Sequence, residues 1–165
     1  MSDASKKQVA ILSAAIEKAA RFPIAVGPCK CNLFAGKVAE TAGVPYFNSI
    51  LNTDHDRTAN VIFGFIEKAT GSPPSGWKIL SEKEAQENAD SGRFVVGVAR
   101  SIDQESHGHI VVVVPSTWNR LEQPGTGPWV RDNLHPDRSI RASRRFGATV
   151  VKPVYAVWLS DLKPR

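Results

Sequence analysis

Cys31 and His109 are the two residues whose chemistry and setting pair most readily. Cys31 opens the stretch Cys31-Asn32-Leu33-Phe34-Ala35-Gly36-Lys37-Val38-Ala39-Glu40-Thr41-Ala42-Gly43, with Gly27-Pro28 before it and Pro45 after it. These breakers predict a short helix with Cys31 in, or just before, its first turn. There the free backbone N–H groups and the positive end of the helix dipole favour a thiolate. A packing reading competes. Cys31, Phe34, Ala35, Val38 and Ala42 follow an apolar helical stripe, and free cysteine is among the most buried residue types. A nucleophile also needs a base, so the rest of the chain decides.

His55 and His135 lie in loop-like sequence, whereas His107 and His109 flank Gly108 at the mouth of Ile110-Val111-Val112-Val113-Val114. Side chains alternate along a strand, so His107 and His109 share a face. A strand starting near His109 would present that ring at the sheet edge, beside the helix that carries Cys31. The pair fits acyl transfer: imidazole takes the thiol proton, helix N–H groups hold an oxyanion, and the ring then protonates the leaving amine. His107 reads as an exposed turn residue.

The elements around these residues run from helices to sheet. Val9, Leu12, Ile16, Ala19 and Ala20 mark a first amphipathic helix from about Ser5 to Arg21, closed by Pro23. Val44 to Asp56 reads as a loop that could border a cleft, and Thr58 to Ala69 as a third helix. Gly71 to Gly76 is a loop too short to divide domains. Ser81-Glu82-Lys83-Glu84 is a capping box opening a helix to about Ala89. Phe94 to Ala99 and Ile110 to Val114 then read as paired antiparallel strands. Pro115 to Gly147 shows breakers and no clear period. Ala148 to Leu159 reads as the last strand, with Pro153 marking an edge or bulge. Helices followed by sheet imply an α+β fold, and 165 residues imply one domain.

Composition excludes several classes. The chain is 42% hydrophobic and 22% charged, as expected of a soluble globular protein rather than a disordered one. No apolar run approaches a membrane span, and the first residues lack the apolar core of a secretory signal. Synthesis in the cytoplasm is the expectation, with any export by another route. Cys29 and Cys31 are too close for an unstrained disulfide. The net charge of +5 points to an anionic partner: nucleic acid, anionic lipid or an acidic wall polymer.

Taken together, Lys30-Cys31-Asn32-Leu33-Phe34, Ala42-Gly43-Val44-Pro45, Trp77-Lys78, Ala85 to Gly92 before Phe94-Val95-Val96, and Gly108-His109-Ile110-Val111-Val112-Val113 resemble the papain-like cell-wall amidases of NlpC and CHAP type. Their order and separation are most similar to the peptidoglycan amidase effectors of type VI secretion. The likeness spans about Gly27 to Pro115. It implies a single papain-like domain over 1–165, with helices packed on an antiparallel sheet. Cys31 would be the nucleophile and His109 the base, without a cofactor. The implied substrate is a stem-peptide amide of peptidoglycan. The γ-D-glutamyl–diaminopimelate bond is favoured, and the diaminopimelate–D-alanine cross-link is the alternative. The implied setting is antibacterial: a toxin without a signal peptide, acting in a target cell's periplasm and countered by an immunity protein. The free chain is expected to be a monomer that inserts into no membrane. For the third polar group that orients the histidine, Asp132, Asn133 and a backbone carbonyl all remain open. A transglutaminase or deamidase would use the same two residues.

Two other classes compete. Cys29-x-Cys31 with His107-x-His109 could supply tetrahedral zinc, but the spacing is tighter than structural zinc cysteines use. Such a site would require Cys29, which a thiol hydrolase does not. Arg138, Arg141, Arg144, Arg145 and Lys152 form a basic cluster that would attract nucleic acid. They lack interleaved aromatic residues and any recognised motif, so no nucleic-acid partner is expected. A surface meeting the wall polymer or immunity protein is the preferred use of these arginines. Trp129 reads as core or as a wall of the substrate groove.

Overall fold

A computed structural model describes residues 2–22, 30–44, 58–68, 76–103, 107–120 and 124–163. Cys29, His55 and most of the two loops expected at Val44–Asp56 and Gly71–Gly76 lie outside these residues. The chain is α+β. Helix α1 (Asp3–Ala20) begins earlier than its apolar stripe suggests, because the Ser2 side chain caps it by accepting the Ser5 N–H. The site helix α2 spans Cys31–Thr41, and α3 spans Thr58–Lys68. Strand β1 (Trp77–Leu80) leads into α4 (Glu82–Asp90), whose capping box forms as expected between Ser81 and Glu84. Then come β2 (Val95–Ala99), β3 (His109–Val113), β4 (Trp129–Arg131), β5 (Ile140–Arg141), α5 (Ala142–Arg145) and β6 (Val154–Trp158).

These strands form one antiparallel sheet in the order β1-β6-β2-β3-β4-β5. The sheet is covered on both faces. Val96, Val98, Ile110, Val112 and Ala156 join the core that holds Leu12, Ile16, Phe34, Val38 and Ile62 of α1, α2 and α3. Their alternates Val95, Ala99, Val111, Val113, Tyr155 and Val157 pack with Ala85, Ala89, Ala142 and Phe146 on the other side. A strand buried on both faces reads as a continuous apolar run, which explains the unbroken valines of β2 and β3.

Two expectations change. The last strand covers only Val154–Trp158 rather than Ala148–Leu159, and it lies between β1 and β2 instead of at an edge. Pro153 has no N–H for a central ladder, so pairing starts just after it. Upstream, Val150 makes only an isolated bridge to Ser101. The stretch from Pro115 to Gly147, which shows no period, contains β4, β5 and α5. These elements have three, two and four residues, too few to display a repeat.

Helix α2 ends where Gly43 turns with φ +74°. A Cβ on residue 43 would stand 1.9 Å from the Lys163 carbonyl oxygen, while the Lys163 N–H donates to Ala42 O at 3.0 Å. The C-terminal segment therefore docks where a side chain would be. Gly43→Ala is expected to cost about 2–3 kcal/mol in urea unfolding, since strain and steric clash add. A cost below about 0.5 kcal/mol would contradict this account.

Candidate active site

Cys31 is the first residue of α2, and only 8% of its surface is exposed. Lys30 stands at the N-cap without a side-chain cap hydrogen bond. A lysine side chain offers no acceptor to the first N–H groups of the helix, as a Ser or Asp would. Helix α2 packs against α1 on one side and β3 on the other, which brings its N-terminus to the sheet.

His109 is the first residue of β3, an interior strand, so its ring emerges at a strand end rather than at a sheet edge. It shares parity with Val111 and Val113, and its ring meets Phe146 edge-on with centroids 6.1 Å apart. The preceding Gly108 is needed for close approach. A Cβ there would stand 2.4 Å from Ala99 O and 2.5 Å from Asn60 Oδ1. The Gly-His pair is thus a packing requirement of the strand mouth.

Strand β4 runs antiparallel to β3, so the residue just past its C-terminal end arrives beside the start of β3. That residue is Asp132. It is fully buried, and its Oδ2 accepts a hydrogen bond from His109 Nε2 at 2.7 Å. Its Oδ1 accepts the N–H groups of Leu134 (3.0 Å) and His135 (2.9 Å), an Asx turn that fixes the carboxylate plane. Arg145, the last residue of α5, donates from Nε to the same Oδ2, and its Nη2 lies 3.3 Å from His109 Nε2. One carboxylate oxygen is therefore held between two cationic side chains. Of the three groups left open by the sequence, Asp132 is the one that holds the ring. Asn133 is buried beside it.

Cys31 stands close enough to the same imidazole to raise its pKa. With Nε2 turned to Asp132, Nδ1 is the nitrogen left for sulfur. Burial opposes a charged ring, but the hydrogen bond to Asp132 and the contact with Cys31 outweigh it, and the His109 pKa is raised to about 9. Burial would likewise raise the Asp132 carboxyl. The hydrogen bond from His109 and the Arg145 charge instead hold it well below the usual carboxylate range. The raised His109 pKa stabilises the fold fully below the unfolded value of 6.5, and that contribution is lost as pH rises through about 9. The Asp132 contribution is present above 3.8 and is lost as pH falls through its lower folded value.

The other candidates separate. His107 is exposed, as expected of a turn residue. Among the described residues no three His, Cys, Asp or Glu side chains are grouped to hold a metal ion, and Cys29 falls outside them. The arginine cluster does not form one face. Arg145 turns inward to Asp132, and Arg141 donates to Gly127 O at 2.8 Å while its guanidinium lies 4.1 Å from the Trp129 ring centroid. Arg138 and Arg144 are exposed. Trp129 is core rather than open groove wall, with Arg120 also over its ring at 4.9 Å.

No protein-family model and no curated protein matches the chain. The geometry therefore stands on its own. Replacing Asp132 by Asn removes the carboxylate charge that offsets the effect of burial on the ring. In Asp132→Asn the His109 pKa, followed by NMR, is expected to fall from about 9 towards or below 6.5. An unchanged titration would mean that Asp132 does not set the charge on the ring.

Proposed function

We propose that the protein is a cysteine peptidase or amidase of papain-like fold that hydrolyses a stem-peptide amide of peptidoglycan. The observation that carries this reading is Cys31 as the first residue of a helix whose N-cap side chain makes no cap hydrogen bond, near an imidazole whose Nε2 is held by a buried carboxylate and whose pKa Cys31 raises. A thiol, an imidazole and a carboxylate holding that imidazole are the parts that thiol hydrolysis requires.

The mechanism follows from these parts. The Cys31 thiol proton passes to His109, and the thiolate is the nucleophile. The sulfur attacks the amide carbonyl, and first-turn N–H groups of α2 receive the developing oxyanion. The C–N bond breaks as His109 gives its proton to the leaving amine. Neutral His109 then takes a proton from water as the water attacks the thioester. Collapse releases the carboxylic acid and returns the thiolate with the imidazolium. Asp132 keeps Nε2 protonated and the ring aimed, and Arg145 holds Asp132.

The substrate class is supported by the order of the Cys, Gly-His and strand motifs and by the net charge of +5, which suits an anionic wall. The γ-D-glutamyl–diaminopimelate bond is the favoured target, with the diaminopimelate–D-alanine cross-link as the alternative. The biological setting proposed with it is that of a type VI secretion effector. It would deliver antibacterial activity to a rival's periplasm and be blocked at home by an immunity protein.

Digestion of purified sacculi with mass spectrometry of the released fragments tests this reading. Wild type and Cys29→Ala should release fragments whose masses name the bond. Cys31→Ala and His109→Ala should lose on the order of a thousandfold or more in rate. Release that survives Cys31→Ala, or depends on Cys29, would refute it.

A further inference from the structure

A second concave site lies on the same end of the sheet as Cys31 and His109. Its cavity of about 360 Å³ is walled by Phe63 of α3, Ile79, Val154 and Pro153, with Arg100 and Lys152 at its rim. Register fixes its place. Ala99 pairs with His109, Val98 with Val154, and Leu80 with Tyr155, so these ends of β3, β2, β6 and β1 stand in a row. Phe63, Ile79 and Val154 belong to or pack on the core that contains Cys31, while Leu80, which also lines the cavity, belongs to the other core, so the cavity opens at the sheet end. Strands are spaced by about 4.8 Å, so the cavity lies roughly 10–15 Å from His109. An extended peptide crosses that distance in about three or four residues.

The chemistry of the cavity is specific. The Arg100 guanidinium lies 5.7 Å from the Phe63 ring centroid, and its Nε is buried without a hydrogen-bond partner among the described residues. Among the described residues no acidic side chain lines the cavity. A buried donor without a partner, a second cation and an apolar wall together fit an apolar chain ending in a carboxylate. We infer that this cavity is a substrate subsite that receives a free carboxylate of the peptide through Arg100, with Lys152 adding charge at the mouth. The assignment rests on the hydrolase reading, because stem peptides carry such carboxylates along their length.

Kinetics on a stem-peptide substrate with a free terminal carboxylate, and on its carboxamide, test the subsite. Arg100→Gln should raise KM for the acid about tenfold and leave kcat within about twofold, while the carboxamide is unaffected. Arg100→Lys should restore part of the loss. The exposed Lys152→Gln variant should raise KM for the acid about threefold and serves if Arg100→Gln does not fold. Equal losses on acid and carboxamide would overturn the assignment. A calorimetric titration of Cys31→Ala with the acetylated peptide acid and its amide needs no turnover. Acid binding that is lost with Arg100 upholds the subsite even if sacculi are not cut, whereas equal binding of acid and amide removes it and leaves the hydrolase reading intact. Displacement of the acid by inorganic phosphate at equal concentration would assign a bare anion site instead, and would also overturn the inference.

Discussion

A buried carboxylate governs the site. Asp132 has no exposed surface, and an isolated ion in that position would not persist. It is held by two backbone N–H groups on one oxygen and by His109 and Arg145 on the other. Removing one partner from such a cluster typically costs about 3–5 kcal/mol, far more than a surface ion pair is worth. That energy fixes four chain segments at once: the start of β3, the end of β4, the turn after it and the end of α5. The imidazole is oriented as a consequence.

The sheet makes this meeting possible. Antiparallel pairing of β3 with β4 brings the end of one strand to the start of the other, and β5 returns the chain so that α5 can reach back with Arg145. Helix α2 approaches from the opposite face, where Phe34 and Val38 pack into the larger core. Cys31 is thus supplied by one layer, and the groups that aim and charge its partner come from the sheet end and the other layer. The packing reading of Cys31 holds, because the start of α2 is pressed into the larger core, and that burial still leaves Cys31 near enough to the ring to raise its pKa.

Strong local signals made much of this legible from sequence. The breakers around Cys31 set the limits of α2, the Ser81–Glu84 capping box marked α4, and the valine runs gave β2 and β3 with their antiparallel pairing. Cys31 and His109 were identifiable because each combines reactive chemistry with an element terminus. The orienting group was not. Asp132 follows a three-residue strand, and only the register of β4 on β3 selects it over Asn133. Arg145 was hidden more deeply, since it looks like one member of a basic cluster. A linear pattern cannot tell an arginine that turns inward to a buried carboxylate from neighbours that stay in solvent. Pro153 suggested an edge or a bulge by its type, whereas it stands just before a central strand.

The central claim is that Cys31 and His109 act as one unit. It is tested most directly by the rate at which iodoacetamide alkylates Cys31 at pH 7, read by peptide mass spectrometry in wild type and His109→Ala. The account predicts that Cys31 is modified at least about tenfold faster in wild type, while the rate at Cys29 is the same in both proteins. Equal rates at Cys31 would show a cysteine packed beside a histidine without being activated by it, and the proposed chemistry would lose its foundation.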